Sequence, residues 1–178
     1  MNNDIKIPSK NSSISYSGKV EIRRTRGNKV VKTINVKNEG TSELFRLLAC
    51  ALAGYDVSGV APNYIELFSG DSLDDTEMKS SCVVRVPANN RKVIPDDAGY
   101  SVVLDFHVPY NQITSSANIL KLYSDTKNKN PLARVFLGKL EDPKAAESII
   151  INDSTSNALI TWTLNLQNGV TDINGGNN

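Results

Sequence analysis

Residues Tyr100 to Tyr110 read YSVVLDFHVPY, and their alternation decides the fold. Tyr100, Val102, Leu104, Phe106, Val108 and Tyr110 fall on one side of an extended chain, a strict period of two. A helix would scatter those side chains around its axis, so the stretch is a strand with one apolar face. The same period recurs at Ala158 to Leu166, turning Ala158, Ile160, Trp162, Leu164 and Leu166 to one side. Upstream, Lys19–Arg26 and Val30–Val36 flank Gly27-Asn28, the signature of a β-hairpin. Shorter strands are expected at Tyr64–Phe68, Cys82–Val86, Arg91–Ile94, Asn118–Tyr123 and Leu132–Leu137. Polar loops separate them at Ser69–Ser80, Pro95–Gly99 and Ser124–Pro131, and Lys139–Glu147 adds a loop containing Pro143. Ile149–Ile151 is a further short apolar run. About nine strands with one apolar face each call for two sheets packed face to face. The expected class is mainly β, an antiparallel β-sandwich.

One stretch breaks the pattern. Asn38 to Tyr55, NEGTSELFRLLACALAGY, is a helix by composition and by its ends. Gly40 or Thr41 suits the N-cap, Glu43 sits at the positive end of the helix dipole, and Gly54 supplies a left-handed stop. Between the caps Arg46 is the one charge after Glu43, so the helix is apolar nearly all round. The expectation is a helix buried on or between the sheets, directly after the first hairpin. Its length falls short of the roughly 20 apolar residues a bilayer span needs.

At 178 residues with 39% hydrophobic and 22% charged side chains, the chain suits one folded domain with polar ends. Residues 1–17 read as a flexible N-terminal arm, 18–167 as the β-sandwich, and 168–178 as a flexible C-terminal tail. The net charge of +1 favours neither nucleic acid nor an anionic membrane as partner. Two cysteines, Cys50 and Cys82, are too few for a disulfide framework; each reads as a small buried residue, with a bridge between them left open. The first residues lack the apolar core of a signal peptide, so no export by the Sec route is expected.

Chemistry-bearing constellations are sparse. His107, the single histidine, alternates outward from Phe106 and Val108 with no nucleophile motif beside it, and with two separated cysteines it makes no zinc spacing. Asp71, Asp74, Asp75 and Glu77 form an acidic loop without the ligand spacing or central glycine of a calcium loop. Asp96-Asp97 belongs to a turn. Arg23, Arg24 and Arg26 lack interleaved aromatic residues and read as a solvated strand face. Trp162 lies on the apolar side of its strand and reads as core. The reading therefore expects no enzyme, no cofactor and no metal site.

The order of segments resembles a class of tailed-bacteriophage virion proteins found in tails, collars and fibres. The likeness runs through Asn38-Glu39-Gly40, the Leu-rich helix ending at Gly54, Tyr64–Phe68, the acidic loop Asp71–Glu77 and Val83–Val86. It continues through Ile119–Tyr123, Leu132-Ala133-Arg134-Val135 and Leu159-Ile160-Thr161-Trp162, covering roughly Val20 to Leu166. The Gly-rich turn common after the short strand is reduced here to Ser69-Gly70. The resemblance implies a non-enzymatic virion subunit, assembled in the host cytoplasm, with other virion proteins as partners and as a homo-oligomer. The rival is a carbohydrate- or cell-surface-binding β-sandwich, which would cluster exposed aromatic residues. Tyr16, Tyr55, Tyr64 and Tyr123 are the residues that separate the two.

Overall fold

A computed structural model describes residues 12–57, 61–70, 81–97, 99–112, 116–124, 130–138 and 155–170. In chain order these form β1 (Ser12–Arg26), β2 (Lys29–Lys37), β3 (Glu39–Gly40), α1 (Ser42–Leu52), β4 (Tyr64–Ser69) and β5 (Ser81–Pro87). There follow β6 (Asn90–Asp96), β7 (Gly99–Val108), β8 (Ile119–Tyr123), β9 (Ala133–Phe136) and β10 (Asn157–Val170). Two five-stranded sheets result, a long one ordered β2-β1-β10-β7-β6 and a short one ordered β3-β9-β8-β4-β5. Every neighbouring pair is antiparallel. The chain is the mainly β, antiparallel sandwich that the alternation called for.

The core follows from the register. Inward rows Ile22–Ile160–Phe106 and Val20–Trp162–Leu104 run across the long sheet. They meet Ile65, Leu67, Leu120, Leu122, Ala133 and Val135 of the short sheet in one buried cluster. Trp162 is completely buried, as its strand face required. Each such side chain stabilises the fold by about 1.5–3 kcal/mol relative to exposure. At the sheet ends, Asn118 is a buried clamp: its side chain bonds the N–H and C=O of Gly70 (3.0 and 2.7 Å) and the C=O of Gly138 (2.8 Å).

β1 and β10 lie side by side at the centre of the long sheet, paired from Ser12↔Val170 to Thr25↔Asn157. This moves both expected boundaries. Ser12–Ser17, assigned to a flexible arm, are strand, because β10 gives each of them a partner. Asn168–Val170, assigned to the tail, close the same ladder, while residues 1–11 and 171–178 lie outside the described residues. β3 had no counterpart in the sequence reading; two residues carry too little period to register. Tyr110 also leaves its expected strand, since β7 ends at Val108 and Tyr110 starts a 3-10 turn. The acidic residues Asp71, Asp74, Asp75 and Glu77, and the segments Lys139–Glu147 and Ile149–Ile151, lie outside the described residues.

Candidate functional site

Helix α1 is where the structure departs most from expectation. It is not enclosed: of its residues Glu43 and Leu44 are buried, Leu47 and Leu48 are half-buried, and Phe45, Ala49, Ala51 and Leu52 are exposed. The physical reason lies in the unequal sheets. β1, β10 and β7 continue past the short sheet, carrying inward rows Gly18–Leu164–Val102 and Tyr16–Leu166–Tyr100. One narrow helix lies over this overhang. Its underside meets those rows, and its remaining apolar sides face outward.

The ends of α1 are fixed by specific contacts. Thr41 holds the N-cap position, yet its hydroxyl gives no cap. It donates instead to the carbonyls of Pro131 and Leu132, while its N–H bonds Leu132 O at 3.0 Å, tying the helix start to the approach of β9. Glu43 takes two bonds from the Arg46 guanidinium (2.8 and 2.7 Å), a bidentate pair one turn apart. At the far end Tyr55 N–H bonds Cys50 O and Gly54 N–H bonds Ala51 O, with Gly54 at φ +80°. That is the paired-bond stop that a left-handed glycine permits, as the sequence predicted.

Tyr16 joins helix to sheet. Its ring meets Phe45 edge-on at 6.0 Å, and its hydroxyl donates to Asn38 Oδ1 at 2.8 Å. A Cβ at Gly40 would stand 2.7 Å from that ring, and one at Gly18 would overlap the Asn38 side chain. Glycine at both positions is what lets Asn38 and Tyr16 nest there, which explains the Asn38-Glu39-Gly40 motif. Burial pushes the Tyr16 phenol up to about 12. The neutral phenol is thus favoured in the fold, against an ordinary value near 10 in the unfolded chain. Its contribution is intact below pH 10 and is lost as pH rises toward 12. Alkaline melting series should therefore show Tyr16→Phe losing about 1 kcal/mol at neutral pH yet less than the parent between pH 10 and 12. Parallel pH curves for the two proteins would overturn this assignment.

Between α1 and the overhang runs an apolar cleft of about 250 Å³, walled by Tyr16, Leu44, Leu47, Leu48, Leu164 and Leu166 among others. A second hollow of about 370 Å³ continues over Leu52, Gly99 and Tyr100. Leu52 is 75% exposed, Tyr55 70% and Tyr100 59%. Tyr100 lies on the core face of its strand, as its alternation required, yet stays open because the cover ends before it.

The other candidates sort as follows. His107 is exposed on the outer face, where its backbone N–H donates to Asn89 Oδ1 at 2.7 Å. Nearby Asp105 accepts from Thr161 (2.9 Å) and Asn90 (3.3 Å), bonds that pin β6, β7 and β10 together. Arg23 pairs with Glu21 at 3.2 Å along the same outer face. Among the described residues no cluster of three or more His, Cys, Asp or Glu side chains is placed to hold a metal ion. Cys50 is half-buried and Cys82 exposed, both as free thiols, which corrects the expectation that each is buried and leaves them unbridged. Cys82 is open because it lies on β5, an edge strand.

The aromatic residues divide between Phe45, Tyr55 and Tyr100, exposed on or near α1, and a buried set on the short sheet. Tyr64 and Tyr123 are buried and stacked on each other at 5.2 Å, with the Arg85 guanidinium 4.8 Å over the Tyr64 ring. Lys121 lies 4.7 Å over Phe68, and Glu66, also buried, takes the Arg85 pair. These side chains alternate with the core positions and line the outer side of the short sheet. No protein-family model, curated protein or solved structure matches this chain.

Proposed function

We propose that the chain is a non-enzymatic structural subunit of a tailed-bacteriophage virion, acting through contacts with neighbouring subunits. The observation that carries this reading is the exposed apolar surface of α1 with the cleft beside it. An isolated exposed leucine is ordinary, whereas Phe45, Leu52 and Tyr55 lie exposed on or just after one helix and Leu52 shares the second hollow with Tyr100, the usual mark of a protein contact. The order of sequence segments supplies the virion setting, with other virion proteins as partners. The glycan-binding alternative draws less support. Tyr55 is exposed, as that alternative requires, but Tyr64 and Tyr123 face each other rather than solvent, Tyr16 is held under the helix, and Trp162 is core.

The test removes the surface without touching the core. A Leu52→Glu, Tyr55→Ser double variant should melt within about 2 °C of the parent, since both side chains are largely exposed. Its incorporation into particles, read by gel densitometry, should fall several-fold. Incorporation equal to the parent's would remove this surface from assembly.

A further inference from the structure

We infer that the open edge of β1 over Ser12–Tyr16 joins two copies of this chain, paired antiparallel about Ile14. The inference rests on the reading of the chain as an assembling subunit and assigns one contact to it.

Among the described residues this edge has no strand partner, because β2 is shorter than β10. Along one side β1 pairs with β10 from Ser12 onward; along the other, β2 reaches Lys19↔Lys37 and Asn38 N–H takes Gly18 O at 3.1 Å. Beyond Gly18 no described residue pairs with that side. The Gly18 carbonyl fixes the direction of its neighbours. Backbone groups alternate sides along a strand, so the N–H and C=O of Tyr16, Ile14 and Ser12 also point to the open edge. Those of Ser13, Ser15 and Ser17 point to β10.

The composition of this edge sets it apart from the edges of β2, β5 and β6. Exposed strand edges are normally guarded by Lys, Arg or Pro. β2 carries Lys29, Lys32 and Lys37; β6 carries Arg91, Lys92 and Pro95; β5 carries Arg85 and Pro87. Ser12 to Gly18, SSISYSG, carries none. An unguarded ladder recognises another extended, uncharged strand with its own side free. A second copy supplies one, and a two-fold axis makes the pairing antiparallel and self-complementary. Centring the axis on Ile14 sets Ile14 against Ile14 and Ser12 against Tyr16 of the second copy, which uses all three outward residues. Self-pairing of β2 or β6 in the same manner would bring lysine and arginine together across the ladder. The exposed ring of Phe45 packs on Tyr16, so apolar surface adjoins the joined edges.

Sedimentation of the purified full chain at roughly 10–100 µM tests the contact. The parent should be dimeric. Ile14→Pro removes an outward N–H and no bond to β10, so it should keep the melting temperature and weaken dimerisation about tenfold or more. Ser15→Lys guards the edge with a charge and should do the same. Adding Ser13→Glu to it should restore the dimer, because this register sets residue 13 opposite residue 15 of the second copy. A monomeric parent, or both single variants dimerising like the parent, would overturn the contact. A failure of the double variant to recover would overturn the register about Ile14. A parent that stays monomeric yet enters particles removes this contact and leaves the assembly reading. A dimeric parent that enters no particle does the reverse.

Discussion

Deleting residues 1–17 should lower the melting temperature by about 10 °C or more. As a flexible arm, the segment would be expected to leave melting unchanged on removal. The β1–β10 ladder reverses that expectation, because Ser12–Ser17 each face a residue of β10 between Asn165 and Val170. The deletion strips those strand bonds from the centre of the long sheet. It also removes Tyr16, whose ring fills the space beside Gly40 and whose hydroxyl meets Asn38. Loss of one half-buried aromatic and its hydrogen bond, together with the strand bonds, amounts to about 3–5 kcal/mol. In a chain of this size each kcal/mol moves the transition by about 2–4 °C. Deleting residues 1–11 alone, which leaves β1 whole, is the control and should retain the parental transition. A truncation at residue 17 that melts with the parent would show that the first turns of β1 add nothing to the sandwich.

The sandwich itself was legible because Tyr100–Val108 and Ala158–Leu166 keep a strict alternation where both sheets bury it. The same alternation places Tyr100 on the core face but says nothing of its exposure, since period reports which face a residue occupies and not whether anything covers that face. Ser12–Ser17 were missed for a related reason. Their sequence holds small polar residues around Ile14 and Tyr16, and the strand is held there by backbone bonds to β10, more than 140 residues away. The helix was found through its apolar run and Gly54, but its burial was inferred from that run alone. Hydrophobicity says that a helix wants cover; the lengths of β4, β8 and β9 determine how much this chain provides. The apolar cleft was therefore invisible in the sequence, although Leu44, Leu47, Leu48 and Leu166 were all recognised as apolar. The role of Asn38 was equally hidden, because a side chain resting on Gly18 is a contact between distant segments.

The unequal sheets lead to a contrast between two leucines that look alike in the sequence. Leu104→Asp should abolish folding, whereas Leu48→Asp should yield a folded protein with a lowered melting temperature. Leu104 is fully buried in the row with Val20 and Trp162, with no described cationic side chain in the inner cluster to pair a carboxylate. Leaving that charge unpaired costs several kcal/mol, a large share of the roughly 5–15 kcal/mol that holds a domain together. Leu48 lines the cleft under α1 and is half-buried, so a carboxylate there can turn into solvent. Its cost is the lost apolar contact, about 1–2 kcal/mol, or several degrees of melting temperature. Circular dichroism and thermal melting of both variants read the difference directly. If Leu48→Asp is as unfolded as Leu104→Asp, α1 belongs to the core, and the apolar surface beside it is structural rather than a contact held open for a neighbour.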